Sequence, residues 1–336
     1  MTAILAETTR GGLVESVHHG AIAVVDTAGR LVAAVGDPDR VVFFRSSAKP
    51  FQAIPIIESG AADVFGFTPA ELALCCASHN AEPRHQAAVA AMLAKIGLGP
   101  EALRCGVVLP SDRAEAARVV SGLVPPSPLQ CDCSGKHAGM LAVCAHQGLP
   151  LDSYPDPAHP LQRRILGIMA EVLDRPETEI GPGTDGCGLP TFAAPLQSFA
   201  AAFALLAAPE RGATGAGGGH AVALNRLREA MIAHPANVAG DGELVTDLMA
   251  LGGGRIAAKS GAEGLICLAV PARGLGIAIR ILDGAFRAHA VVVAALLAQL
   301  DLLDAPTLAA LRARHPAALR NHTGTHVGDL RAAFSL

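Results

Sequence analysis

Two stretches of β-rich sequence lie at opposite ends of the chain, and each is folded back on itself by a turn signal. Residues 21–36, AIAVVDTAGRLVAAVG, are two apolar runs flanking Asp26-Thr-Ala-Gly29, the pattern of a hairpin. Near the other end, residues 264–270 and 275–282 flank Pro271-Ala-Arg-Gly274, and a helical pattern follows over 286–303. A lone hairpin is marginal in water, so each must find further strands. One antiparallel sheet of at least four strands, built from both ends of the chain and covered by the terminal helix, satisfies both.

Between the hairpins the apolar spacing is helical, over 69–77, 84–96, 112–121, 136–147, 160–173, 189–206, 220–232 and 243–251. The fold class is therefore α+β. A sheet domain discontinuous in sequence, 1–40 and 255–336, is interrupted by a mainly helical subdomain, 41–254. The glycine-rich run 211–219, RGATGAGGG, lacks the Gly-Lys-Ser/Thr of a phosphate loop and reads as a linker.

Composition removes several function classes. Apolar residues make up 51% of the 336 and charged residues 17%, which excludes a disordered chain. A net charge of -4, with Trp 0, Tyr 1 and Phe 10, offers nucleic acid neither a basic surface nor aromatic platforms for bases. The best apolar run, 290–303, is broken by Gln299 and Asp301 and falls short of the roughly 20 residues that cross a bilayer. Glu7 and Arg10 occupy the place of a signal peptide's apolar core, so no export is expected. Eight cysteines in such a chain read as thiols or metal ligands in a reducing cytoplasm.

The basic residues are unevenly divided, with only four lysines: Lys49, Lys95, Lys136 and Lys259. Arginine stays protonated in proteins, whereas a buried lysine can lose its proton and act as a base. Ser46-Ser-Ala-Lys49 places a serine and a lysine on one face if a helix begins at Ser46, with the positive helix end beneath them. A neutral Lys49 would then take the serine proton. Ser78-His-Asn80 and Lys259-Ser-Gly261 follow in order. Each motif alone is as well explained by a helix cap or a surface lysine. Together, Ser-x-x-Lys, Ser-x-Asn and Lys-Ser-Gly resemble the active-site set of the serine β-lactamases and penicillin-binding proteins.

Further strings narrow the resemblance. Residues 10–18 (RGGLVESVH), 45–52 (RSSAKPFQ), 78–80 (SHN), 133–140 (CSGKHAGM), 185–190 (DGCGLP) and 259–264 (KSGAEG) are similar to the asparaginase II family, the Rhizobium etli-type L-asparaginases, across nearly the whole chain. The resemblance implies a β-lactamase/DD-peptidase-like fold, hydrolysis of L-asparagine to L-aspartate and ammonia, and a homodimer. It implies two serine-lysine pairs, Ser46 with Lys49 and Ser78 with Lys259, and a zinc ion held by Cys133, Lys136 and Cys187. Asp185 completes that set or braces it. Arg45, which can clamp a carboxylate bidentately, is a candidate for binding substrate, as are Asn80 and His137. The residues themselves leave two alternatives open: a penicillin-recognising peptidase, esterase or β-lactamase, and a non-catalytic zinc-binding protein. The cysteine spacing lacks the paired Cys-x-x-Cys of a structural zinc site, and Cys75, Cys76, Cys105, Cys144 and Cys267 read as core thiols.

Overall fold

The computed structural model describes residues 2–212 and 219–336. It divides into two compact units, one of Met1–Val42, Ala194–Ala208 and Asp247–Leu336, the other of Phe43–Ala193 and Pro209–Thr246. In chain order the strands are β1 (Ala3–Arg10), β2 (Leu13–Asp26), β3 (Leu31–Val35), β4 (Val41–Phe43), β5 (Gly181–Thr184), β6 (Pro190–Pro195), β7 (Ala257–Gly261), β8 (Leu265–Val270), β9 (Leu275–Ile281), β10 (Ala318–Arg320) and β11 (His326–Ala332). The class is α+β, as the spacing predicts.

The first unit is built on an antiparallel sheet ordered β10-β11-β1-β2-β9-β8-β7, with β3 also paired to β2. Both expected hairpins form, β2 with β3 and β8 with β9. They join along β2 and β9, in register from Gly20↔Ile281 to Asp26↔Leu275. All six residues of β8 are buried. The helix Leu196–Ala207 covers the sheet with Leu196, Phe199, Phe203 and Leu206, each fully buried. It lies so close that a Cβ added at Gly276 would stand 1.9 Å from the Ala200 carbonyl oxygen. This contact draws 194–208 into the sheet unit, whereas the helical periodicity alone places it in the inserted subdomain.

The sheet is also longer than the two hairpins require. β1 pairs with β2 on one side and with β11 on the other, Ala6↔Ala332. Between β9 and β10 the expected helix is shorter than 286–303: a 3-10 turn, Phe286–Ala288, leads into His289–Gln299. A further helix, Ala305–Arg314, starts where Asp304 accepts the Thr307 N–H.

In the second unit the helices Pro69–Cys75, Pro83–Lys95, Arg113–Val120, Ser134–Gln147, Pro160–Leu173 and Ala221–Ala233 lie within two residues of the expected bounds. Pro160–Leu173 keeps both, since His159 caps its start and Asp174 leaves it in a left-handed conformation. The exception is 189–206, where β6 occupies the first part and pairs with β5, Gly181↔Ala193 to Thr184↔Pro190. The expected linker over 211–219 lies, for 213–218, outside the described residues. Among the described residues, no helix is long and apolar enough to cross a membrane, and all eight cysteines are free and buried.

Candidate active site

Ser46 stands half-exposed on a 3-10 turn, Arg45–Ala48, that runs into a single α-turn, Lys49–Gln52, opened by Pro50. The helix expected from Ser46 is thus a 3-10 turn followed by two short α-helical pieces, Lys49–Gln52 and Ile54–Glu58. The residue before the serine is unusual instead. Arg45 holds φ 49° without being glycine, a conformation that tertiary contacts must enforce. Its Nε donates to Asp185 Oδ1 at 2.8 Å, and Phe44 N–H donates to the Phe192 carbonyl at 2.7 Å. The β5–β6 hairpin therefore anchors the turn that presents Ser46.

Lys49 is fully buried. Its ammonium donates to Ser78 Oγ at 2.8 Å and to the Ala77 carbonyl, and lies 3.7 Å from Asp132 Oδ2. Among the described residues, the serine bonded to Lys49 is Ser78. That oxygen is delivered by the segment following helix Pro69–Cys75, which is fixed by Ser78 N–H donating to the Val238 carbonyl at 2.9 Å. Burial pulls the Lys49 pKa down, but Cys133, Asp132 and Cys187 outweigh it and hold the ammonium protonated.

The thiols form a coupled group. Hydrogen bonds from Cys131 and Cys187, with the Lys49 and Lys136 ammoniums, hold Cys133 well below the ordinary thiol range. Cys131, bonded to Cys105 and Cys133, and Cys187, bonded to Cys133, are pushed above it. Cys133 is thus the thiol of the cluster most readily ionised. Lys136, 2% exposed, donates to Cys187 Sγ at 3.4 Å. Burial lowers its pKa, and the charges of Cys187 and Cys133 more than restore it.

This cluster forms because helix Ser134–Gln147 begins right after Cys133 and lies tight against helix Pro69–Cys75. A Cβ at Gly135 would come 2.3 Å from the Leu74 carbonyl oxygen. Two sulfurs and an amine, with one sulfur already ionised, are a donor set that fits a small divalent metal. The Cys131, Asp132 and Cys133 ligand atoms, all within 4.8 Å of one another, form a second such set. Asp185 is turned to Arg45 and to the Gly186 N–H.

His137 is fully buried, and burial lowers its pKa to about 3. Its Nδ1 lies 2.6 Å from the hydroxyl of Tyr154, which also accepts the Arg104 N–H at 2.9 Å. The hydroxyl accepts from one side and so donates to Nδ1, which puts the ring proton on Nε2. Nε2 is buried without a partner. Asn80 gives its amide to Glu82 Oε1 at 2.7 Å and packs against Gly240. Lys259 belongs to the sheet unit, on β7, where it is fully buried and donates to the Ser260 carbonyl at 2.8 Å.

The sequence model of the L-asparaginase II family matches residues 6–332. The chain belongs to the L-asparaginase II family. Membership supports an amidohydrolase of the asparaginase kind. No curated protein matches the chain. Solved structures similar to this asparaginase II chain include Mglu in its native form, at 18% identity and TM-score 0.38 over 90% of this chain and 70% of that one. Mglu in its tris and glutamate form gives 18% and 0.38, over 89% of this chain and 64% of the other. A β-lactamase from Mycobacterium bovis gives 14% and 0.33, over 79% and 88%. Superpositions this loose decide nothing about chemistry.

Two groups of this asparaginase II site are invisible in its motifs. Asp132 stands beside both Lys49 and Cys133, its Oδ2 3.5 Å from Cys133 Sγ. Tyr154, the chain's one tyrosine, sets the tautomer of His137. The signal for the first was its place between two cysteines. The rarity of tyrosine was the signal for the second.

Proposed function

We propose that the chain hydrolyses L-asparagine to L-aspartate and ammonia through an acyl-enzyme on serine. The observation that carries this reading is the fully buried Lys49 bonded at 2.8 Å to Ser78 Oγ, three residues from a half-exposed Ser46 on a strained turn. Ser46 attacks the side-chain amide carbon, and its own backbone N–H is the donor offered to the developing oxyanion. Lys49 and Ser78 pass the proton from the nucleophile toward the leaving nitrogen. Arg45, held by Asp185, pairs with the substrate α-carboxylate, and His137 donates from Nε2 to a substrate oxygen.

Lys49 can accept a proton only when the anionic charge facing it is neutralised. Cys133, Cys187 and a deprotonated Lys136 would hold a zinc ion, whose positive charge would offset the thiol charge that keeps Lys49 protonated. The protein is then expected to contain about one zinc per protomer, its tetrahedral count completed by water or Asp185. Cys187→Ser should lose the metal and Cys105→Ser should keep it. Loss in Cys131→Ser with retention in Cys187→Ser would transfer the site to the Cys131-Asp132-Cys133 set.

The decisive experiment measures ammonia release from L-asparagine by the purified protein and by Ser46→Ala and Ser78→Ala, with mass spectrometry of quenched turnover mixtures. Ser46→Ala is expected to lose activity by a factor of about 10³ or more, and the wild type to carry an acyl group on the peptide containing Ser46. An acyl group on Ser78 would exchange the roles of the two serines. Absence of ammonia release, with nitrocefin turned over instead, would replace the assignment with a penicillin-recognising hydrolase.

A further inference from the structure

The segment from Arg10 to His18 plays no part in the site above, yet it contributes to a cavity of 670 Å³ within the sheet unit. We propose that this cavity is a receptor for a small dianion, a phosphate ester or a dicarboxylate. It is lined by Thr8 and Arg10 from β1, Glu15 and Ser16 from β2, Arg287 from the 3-10 turn Phe286–Ala288, and Arg320 at the end of β10.

The charge count identifies the ligand class. Arg10 is neutralised by Glu15 at 2.8 Å. Among the described residues, neither Arg287 nor Arg320 forms an ion pair, and Arg320 donates only to the Gly324 carbonyl at 2.8 Å. Arg287, with the Asp283 carboxylate one imidazole behind it, and Arg320 thus offer this cavity two guanidiniums without a direct carboxylate partner, which a dianion can bridge.

Arg287 is not a freely swinging surface cation. Its Nε donates to His18 Nε2 at 2.9 Å and its Nη2 to Ser16 Oγ at 3.1 Å. An arginine N–H can only donate, so His18 Nε2 accepts and the ring proton sits on Nδ1, 2.6 Å from Asp283 Oδ2. His18 is 2% exposed. Asp283 and His18 together fix the guanidinium plane and leave its remaining N–H groups for a ligand, the fork geometry that phosphate and carboxylate oxygens recognise.

An independent observation comes from the wall of the cavity. Thr8 is 2% exposed and its Oγ1 is buried with no hydrogen-bond partner. A buried hydroxyl is rarely left unsatisfied, and Thr8 is one of the residues that line this cavity.

Isothermal titration of the full chain with inorganic phosphate and, separately, with succinate at low ionic strength tests the proposal. Saturable one-to-one binding of at least one anion is expected, and the tighter of the two identifies the ligand's source. Arg287→Met and Arg320→Met should each weaken it about tenfold, the loss of one charge-assisted contact. Arg287→Lys, which keeps the charge and loses the fork, should weaken it also. Arg331→Met, whose guanidinium pairs with Glu7, should bind as the wild type does. Circular dichroism confirms that each variant is folded, and Arg320, exposed at a strand end, provides a readout should Arg287→Met fail to fold. No saturable binding of either anion to the wild type, or undiminished binding to both Arg287→Met and Arg320→Met, would overturn the assignment.

Discussion

Tyr154 shows how one side chain can set the chemistry of another. Its hydroxyl accepts the Arg104 N–H and donates to His137 Nδ1, so it fixes a proton on the opposite nitrogen of a ring that burial keeps neutral. Tyr154→Phe takes the hydroxyl away from the Arg104 N–H and from a buried ring nitrogen together. The expected cost is about 1–3 kcal/mol of stability, read as a lower urea midpoint. The same variant should show a mixed His137 tautomer in the nitrogen spectrum of ¹⁵N-histidine-labelled protein, where the wild type shows protonation at Nε2 alone. An unchanged spectrum would show that the tautomer is set elsewhere.

The elements are held in place by a few close approaches, and Gly135 is the one nearest the candidate site. Within a helix, alanine is favoured over glycine by about 1 kcal/mol. Here the added methyl meets a backbone carbonyl at 2.3 Å, so overpacking of about 1–3 kcal/mol decides the sign. Gly135→Ala should lower the melting temperature and, by pushing helix Ser134–Gln147 off helix Pro69–Cys75, separate Cys133 from Lys49. A stabilised variant would show that the helices can part without cost.

This scale also shows what was legible in the sequence. The apolar stripe of Pro160–Leu173 marks both ends of that helix, and the two hairpins are legible with their turns. Gly181-Pro-Gly-Thr has no β-propensity of its own, and β5 exists because β6 pairs with it. β6 is hidden in a helical pattern because its Phe192-Ala-Ala194 runs straight into the Ala-, Leu- and Phe-rich helix that follows. The site motifs were legible as residues, while their partners were not. The motif pairs Lys49 with Ser46 three positions away, but the folded chain brings Ser78 to the ammonium from across the helical unit, and no local spacing encodes that meeting.

At the scale of the whole molecule, each unit contains a histidine that burial keeps neutral. The His79 pKa is lowered to about 3, with His85 and Lys49 adding to the effect of burial, and that of His289 to about 4. Unfolded, both take up a proton near pH 6.5. Between those values the unfolded chain binds protons that the folded chain refuses. Stability is therefore whole above pH 6.5 and falls as the pH drops toward 4, by up to about 1.4 kcal/mol per pH unit for each histidine. Urea midpoints taken across this interval should decline, and His289→Asn should make the decline shallower. A midpoint that is flat over the interval would show that neither ring stays neutral.

The chain crosses between its two units repeatedly, and the sheet closes only when β11 lies down beside β1. The hydrogen bonds between Thr9 and Asp329 span about 320 residues. On a ribosome adding about 5–20 residues each second, β1 emerges roughly 16–60 seconds before its outer neighbour exists. Through that interval the β1–β2 ribbon offers an unsatisfied edge to any other nascent chain, while helix pairs such as Pro69–Cys75 with Ser134–Gln147 can already dock. Synthesis thus favours completing the helical unit first, and the young protein has most need of chaperone protection at its beginning, until its last strand is made.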